Sequence, residues 1–424
     1  MSKNTIGLPP NYRRNFLALL VDYVSFGVAL NFANISSVMP AFVGQLTDSA
    51  PVIGLCSTVF SGGWLLPQLA VARLISDRPR KKPTLLGGMS GRVLFWVIAL
   101  ALWAGLARRP TAMLILFFVG LGIFATCDGV SSVAWFEILS RAIPVKRRAR
   151  LFGIGQFISG LVGIGVGALV GQILNRRPFP DNYALIFALT GVAFIPSLVA
   201  MVLLREPQPE EPNPAADQQA RDNLLQPLLD DPDFRRLMGC RLLVGMMGLT
   251  TSFYVVHAED VLRLPQSIIG DFVAAQTAGG VIASVVMGLV SERWGPRYVA
   301  RLGSAVAMAG PLFALAAHLA GGGRLAQAYP FVYVALGIVN STWMLGFFNY
   351  MLEIAPEGMC PAYVGLGNTL MGVQTLVPLA GGWLLEATSY TTLFSVTVVL
   401  VGAGFLLTLS LRPSQRGATA EQQP

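Results

Sequence analysis

Charge is what this 424-residue chain has least of: Asp, Glu, Lys and Arg together make up 12% of it, where a soluble domain carries about 25%. Apolar residues make up 54%, and the mean hydropathy is +0.61. So little polar surface cannot cover a globule of this length in water, which excludes a disordered chain and an ordinary soluble enzyme. Cysteine is scarce too. Cys56, Cys127, Cys240 and Cys360 lie far apart without a CxxC spacing, so neither a disulfide framework nor a zinc site is expected, and the four read as small apolar fillers of helices. The only two histidines, His257 and His318, fall on different apolar segments, which leaves no metal cluster and no nucleophile with its base. No Walker loop or other nucleotide cradle occurs, so an ATP-driven pump is excluded and no cofactor is expected. No small-residue cleavage site follows Lys3, Arg13 and Arg14, and the first apolar run therefore reads as a retained span.

What remains is an all-α, multi-pass membrane protein. A bilayer core needs about 20 mostly apolar residues per helix, because each backbone amide must find its partner within its own segment. Twelve segments meet that need: 15–40, 51–75, 84–107, 111–141, 150–174 and 183–204, then 236–262, 267–291, 297–320, 327–354, 361–386 and 391–411. Between the two sixes lies a polar stretch whose residues 206–233 hold eight acidic side chains against the single Arg221. Its proline-rich EPQPEEPNP run cannot bury apolar area and reads as a solvated linker. The expected organisation is an N-terminal segment 1–14, a six-helix bundle 15–204, a linker 205–235, a second bundle 236–411 and a tail 412–424.

Lys and Arg are distributed unevenly. With the N-terminus placed inside, the inner segments hold 23 of these cations and the outer loops hold six (Arg108, Arg109, Arg176, Arg177, Arg263, Arg324), with Arg92 inside the third span. The positive-inside rule then puts both termini in the cytoplasm of a bacterial-type inner membrane. The formal charge of +8 is accounted for by this topology and by anionic lipid, so no nucleic-acid partner is expected.

Two inner loops occupy equivalent places in the halves. After the second span the chain reads Arg73-Leu-Ile-Ser-Asp77-Arg78-Pro79-Arg80, and after the eighth it reads Gly288-Leu-Val-Ser-Glu292-Arg293-Trp294-Gly295-Pro296-Arg297. These loops resemble the Gly-x-x-x-Asp/Glu-Arg-x-Gly-Arg/x-Arg motif of the major facilitator superfamily, and the six-plus-six layout extends the resemblance to the whole chain. The second copy matches at every defining position, while Arg73 and Arg80 stand where glycine is usual. The resemblance implies two pseudo-symmetric six-helix bundles rocking about a central site, with spans 1, 4, 7 and 10 lining the cavity. The expected partners are a small-molecule solute, protons and the lipid bilayer, and the expected state is a monomer. Asp77, Arg78, Gly288, Glu292, Arg293, Gly295 and Arg297 become a cytoplasmic gate, with glycine allowing close helix approach and the ion pairs forming when the protein is open outward.

On the fourth span, Asp128, Ser131, Ser132 and Trp135 share one helical face near mid-membrane. A carboxylate there is costly unless it meets water, a partner or cargo, so Asp128 is the first candidate for proton coupling. Asp22 on the first span is the second. Arg92 lies at similar depth, and two readings stand: it neutralises Asp22, or it snorkels to the cytoplasm. Asn31 and Asn34 lie further outward, on another face than Asp22, and offer hydrogen bonds to a ligand. Glu137 points away from Asp128 and reads as a packing or interfacial ion-pair residue. The seventh span supplies Thr250 and Tyr254, and the tenth supplies Asn340, Trp343 and Phe347, an aromatic and weakly polar lining suited to an amphiphilic ligand. Ionisable groups at depth concentrate in the first half, so coupling chemistry is expected there and ligand shape recognition in the second. The expected function is secondary active transport of a small organic solute, coupled to protons and favouring efflux. The alternatives are a lipid flippase or sugar symporter on the same fold, or a non-transporting sensor or assembly factor.

Overall fold

A computed structural model describes residues 9–76, 80–207, 226–321, 323–356 and 359–413. Helix is the only regular structure among them. Six long helices form the first series: α1 (Tyr12–Phe32), α2 (Ala50–Ser76), α3 (Lys82–Trp103), α4 (Pro110–Ala142), α5 (Val145–Arg176) and α6 (Asp181–Leu203). The second series is α7 (Pro232–Val261), α8 (Ile268–Trp294), α9 (Pro296–Leu319), α10 (Pro330–Ile354), α11 (360–387) and α12 (Tyr390–Leu409). All but α11 are long and apolar enough to cross a bilayer. The eleventh segment is two α-helices, Cys360–Met371 and Val377–Ala387, joined by a 3-10 turn at Gly372–Leu376. Gly372 and Pro378 flank that turn; one lowers helix propensity and the other removes a backbone donor.

Three other departures from regularity have local causes. The first span does not run unbroken to residue 40. Asn34 Oδ1 accepts from Ser36 N at 2.9 Å and from Ser37 Oγ at 3.1 Å, a turn that competes with the helical ladder. The chain resumes as the short helix Val38–Gly44. The seventh span begins earlier than the apolar pattern suggests, because the Asp231 side chain caps it by accepting from Asp233 N and Phe234 N. Finally, α7 and α10 each contain a π turn, at His257–Val261 and at Trp343–Phe348.

The chain divides into two compact units, residues 1–48 with 59–211 and residues 49–58 with 212–424. The first has an aromatic core in which Phe95 meets Phe124 edge-on at 4.8 Å and Phe42, on the short helix, meets Phe187 at 5.2 Å and 88°. Edge-to-face pairs set the positive ring edge against the negative face, so this core is held by more than area. In the second unit Phe234, Leu237, Met238, Tyr350, Met351 and Tyr363 belong to one apolar cluster near the start of α7.

Glycine sets the closest helix contacts, and it does so at matching places. A Cβ on Gly129 of α4 would stand 2.4 Å from the Trp64 carbonyl oxygen of α2. A Cβ on Gly337 of α10 would stand 1.9 Å from the Gln276 carbonyl oxygen of α8. The second and fourth helices of each series therefore meet at backbone distance.

The basic end of the first unit is tied by polar clamps. Lys82 Nζ donates to the Val202 and Leu204 carbonyls, both at 2.7 Å, while the Glu206 carboxylate accepts the Lys81 and Lys82 backbone amides at the start of α3. Asn15 donates to the Arg205 carbonyl at 2.8 Å and accepts its amide at 3.1 Å. Glu137 lies 3.2 Å from the buried Lys81 Nζ and also pairs with Arg141, the interfacial ion pair expected of it.

Gly337→Ala is expected to destabilise the purified protein by about 1–3 kcal/mol, because the added methyl must push two backbones apart. Gly87→Ala, where no described atom lies within 4 Å of the new Cβ, is expected to be neutral or to gain up to about 1 kcal/mol of helix propensity. Melting temperatures in detergent check the pair, and equal effects would remove the close contact as a determinant of stability.

Candidate functional site

Five of the side chains expected at the site meet in the first unit. Asp22 of α1 and Asp128, Ser131, Ser132 and Trp135 of α4 line a cavity of about 380 Å³. Its remaining wall is mainly aromatic, from Tyr23, Phe26, Phe60, Trp64, Phe136 and Phe152. Tyr23 Oη donates to Gln156 Oε1 at 3.1 Å and so joins α1 to α5 beside it.

The third helix supplies the cation. Arg92 Nη1 lies 3.6 Å from Asp22 Oδ1 and Nη2 lies 3.6 Å from Asp128 Oδ1, so one guanidinium bridges two carboxylates on different helices. All three residues are buried, at 5% to 7% exposure. Ser197 of α6, fully buried and next to the helix-interior Pro196, accepts from Arg92 Nη1 and donates to Asp22 Oδ1. The guanidinium carbon sits 4.9 Å from the Phe194 ring centre and 5.4 Å from that of Phe26. Arg92 is thereby fixed in the bundle interior, which decides between the two readings of it: it neutralises Asp22 and does not snorkel. Its Nε has no hydrogen-bond partner. The indole of Trp135 faces Asp22 without closing a hydrogen bond, and that of Trp64 lies against Asp128.

Charge arithmetic distinguishes the carboxylates. Two acids and one guanidinium leave a surplus of one negative charge in an apolar enclosure. An uncompensated buried charge costs several kcal/mol, so the cluster favours taking up a proton or a cation. Both carboxylates line the cavity and both have the guanidinium at 3.6 Å, but Asp22 also receives the Ser197 hydroxyl, which leaves Asp128 the less compensated of the two and the better placed to take the load. Ser131 and Ser132 spend their protons on the Asp128 and Gly129 carbonyls, at 3.1 and 2.8 Å; Ser132 Oγ also accepts from Gln68 Nε2 at 3.5 Å, and each hydroxyl keeps a lone pair for a ligand donor.

The other expected site residues lie elsewhere. Asn31 is half-buried and outside this cavity, and Asn34 is occupied with the turn after α1. Thr250 and Tyr254 are buried and bonded to each other at 2.7 Å, with Tyr254 stacked on Phe394, so both pack in the core of the second unit. Asn340 is exposed. Trp343 and Phe347 both fall in the π turn of α10, ring centres 5.4 Å apart. Of the gate motif, Asp77 and Arg78 lie outside the described residues. Glu292 and Arg293 are exposed, and Arg293 lies over Trp294. Arg297 lies over Tyr298, 4.8 Å from its ring centre. Gly295 takes φ 84°, a left-handed turn between α8 and α9 that suits glycine. At Gly288, by contrast, no described atom would lie within 4 Å of an added Cβ, so no close helix approach is seen there among the described residues.

Sequence reasoning missed three features. Ser197 carried a signal, a polar residue beside a proline inside an apolar span. Arg241, counted among the inner-segment cations, is 2% exposed inside the second unit. The two histidines, taken as separate, are neighbours: His257 Nε2 lies 3.1 Å from His318 Nδ1 and His257 Nδ1 lies 2.9 Å from Tyr329 Oη, at the end of the unit opposite its basic loops.

Comparison with known proteins agrees with this architecture. The uncharacterized protein Rv2209 of Mycobacterium tuberculosis is 24% identical over 314 residues, 73% of this chain and 60% of that protein, so the chain spans less than two thirds of this relative's length. The multidrug resistance protein MdtL of Klebsiella pneumoniae is 24% identical over 230 residues, 54% of this chain and 53% of that one. Among solved structures, a bacterial homologue of the iron transporter ferroportin in an inward-facing state superposes with a TM-score of 0.71 at 14% identity, covering 94% of this chain and 98% of the other. A D-xylose-proton symporter gives 0.66 at 15% identity, covering 95% and 98%. At such identities these structures establish the fold and nothing finer. The model of the Major Facilitator Superfamily matches residues 23–374, so the chain belongs to that family of multi-pass membrane transporters.

Proposed function

We propose that this protein is a secondary transporter that moves a small organic, amphiphilic solute by alternating access and couples the movement to protons at the Asp22–Arg92–Asp128 cluster. The observation that carries the reading is the shared guanidinium: two buried carboxylates divide one positive charge beside a half-open, largely aromatic cavity. A group of that kind takes a proton from whichever side is open and gives it up when the arginine or the cargo approaches more closely. Asp128 is the proton carrier in this reading, Arg92 the counter-charge, and Asp22 with Ser197 the anchor that holds Arg92 in place. The serines and Trp135 supply cargo contacts, with Asn31, Asn340, Trp343 and Phe347 as further candidates, while Asn34, Thr250 and Tyr254 are taken up by the turn and the core.

The gate belongs to the same reading. The loop from Gly288 to Arg297, with Asp77 and Arg78 as its counterpart, acts as a hinge whose exposed charges pair and separate as the halves rock. The excess of Lys and Arg in one set of loops supports cytoplasmic termini in a bacterial inner membrane. The protein works as a monomer, and efflux is the favoured direction.

A thermal-shift screen of drugs, sugars, amino acids and lysolipids on the purified protein identifies a stabilising solute for flux measurements in proteoliposomes. Asp128→Asn is expected to reduce pH-gradient-driven flux of that solute at least tenfold while leaving solute exchange in place. Normal gradient-driven flux in that variant would remove Asp128 from the coupling role.

Arg92→Gln leaves two unpaired acids and is expected to cost about 3–5 kcal/mol of stability, as breaking a buried ion pair does. Adding Asp22→Asn to the same chain should restore part of the loss, since one stranded charge goes with its partner. Melting temperatures that fall additively across the two substitutions would show that the bridge is not a unit.

A further inference from the structure

The second unit holds a buried cation of its own. Arg241 lies nine residues past the start of α7, about 14 Å along the helix axis, and is 2% exposed. Its guanidinium carbon sits 4.8 Å from the Trp343 ring centre, and Nη1 lies 3.8 Å from the Met351 sulfur, a weak acceptor. Nε is buried without a hydrogen-bond partner. Among the described residues no carboxylate forms an ion pair with it, whereas Arg92 has two.

The surroundings hold the side chain in that position. Gln374 of α11 donates to the Arg241 carbonyl at 2.7 Å, which ties this stretch of α7 to the 3-10 turn of α11. Gly367 leaves room beside the guanidinium, where a Cβ would stand 3.3 Å from Nη1. Trp343 opens the π turn of α10, and a π turn shifts the phase of the side chains that follow. A guanidinium keeps its proton at any ordinary pH, so this charge cannot be removed by titration as a carboxylate's can. An indole face and a thioether attract it without neutralising it.

We propose that Arg241, backed by Trp343, is an anion-binding subsite for a carboxylate or phosphate carried by the transported solute or by a lipid headgroup. A planar fork of N–H donors with an unsatisfied Nε matches the paired oxygens of either group. The inference rests on the reading of the protein as a transporter of small organic solutes and narrows the cargo to an organic anion. A proton held by the acid cluster of the first unit and an anion held at Arg241 would leave each unit's surplus charge compensated.

The test is equilibrium binding to the full-length protein in neutral detergent, with sodium benzoate, phenyl phosphate, neutral benzamide and phosphatidylglycerol as probes. Benzoate or phenyl phosphate is expected to raise the melting temperature saturably, with benzamide silent, and Arg241→Gln is expected to weaken the response at least tenfold. Arg241→Gln itself should melt no lower than the parent, because it removes an unpaired buried charge. Should that variant fail to fold, Gly367→Ala crowds the guanidinium while keeping the charge and should weaken the same response. A response to phosphatidylglycerol alone that depends on Arg241 assigns the subsite to a lipid headgroup. Silence toward all three anions, or a response unchanged in Arg241→Gln, overturns the proposal. Binding is read without a gradient, so it stands or falls separately from proton-driven flux through Asp128.

Discussion

The first unit depends on a charge imbalance. Three ionised groups in an apolar bundle would be expensive in any arrangement, and an arrangement with two acids and one base leaves a remainder. Asp22, Arg92 and Asp128 come from three helices, and Ser197 brings in a fourth. The cluster is therefore both a joint in the bundle and a place where one unit of positive charge is missing. Replacing it with hydrocarbon of similar volume would remove the imbalance, and with it any reason for the unit to exchange a proton or cation with water.

The rest of the unit keeps that imbalance in place. Helices meet at glycine at backbone distance, so their relative rotation is set by main-chain contact and not by adjustable side chains. Phe95 and Phe124 pack edge-to-face in the same core, and the Phe26 and Phe194 rings lie against the Arg92 guanidinium. At the basic end, Lys82, Glu206 and Asn15 close the helix termini with one another's backbone groups, satisfying amides and carbonyls that a helix end leaves open. Cluster and aromatic packing act on the same four helices, and the end clamps on three of them.

Much of this was legible in the sequence, for a physical reason: a bilayer imposes its thickness and its intolerance of open amides directly on the apolar pattern. Eleven spans follow from length and hydropathy, and Asp128, Ser131, Ser132 and Trp135 share a face because helical periodicity is local. What depends on contact between distant residues was not legible. Arg92 could be paired or snorkelled until Ser197 and two phenylalanines fixed it, and these lie more than sixty residues from it along the chain. Asn34 reads equally well as a ligand contact or as a turn residue, and the Ser36 amide and Ser37 hydroxyl decide for the turn. Arg241 was hidden by its proximity to a basic helix start, and His257 and His318 by their separation of 61 positions along the chain.

The central claim is that the acid cluster carries one exchangeable proton. Infrared difference spectra of the protein in lipid, recorded as the buffer is acidified, read the carbonyl stretch of a protonated carboxylic acid directly. The account predicts a band that grows on acidification and is absent in Asp128→Asn, where one acid and one guanidinium already balance. A band that survives that substitution unchanged, or no protonated carboxyl at any pH at which the protein stays folded, would contradict it.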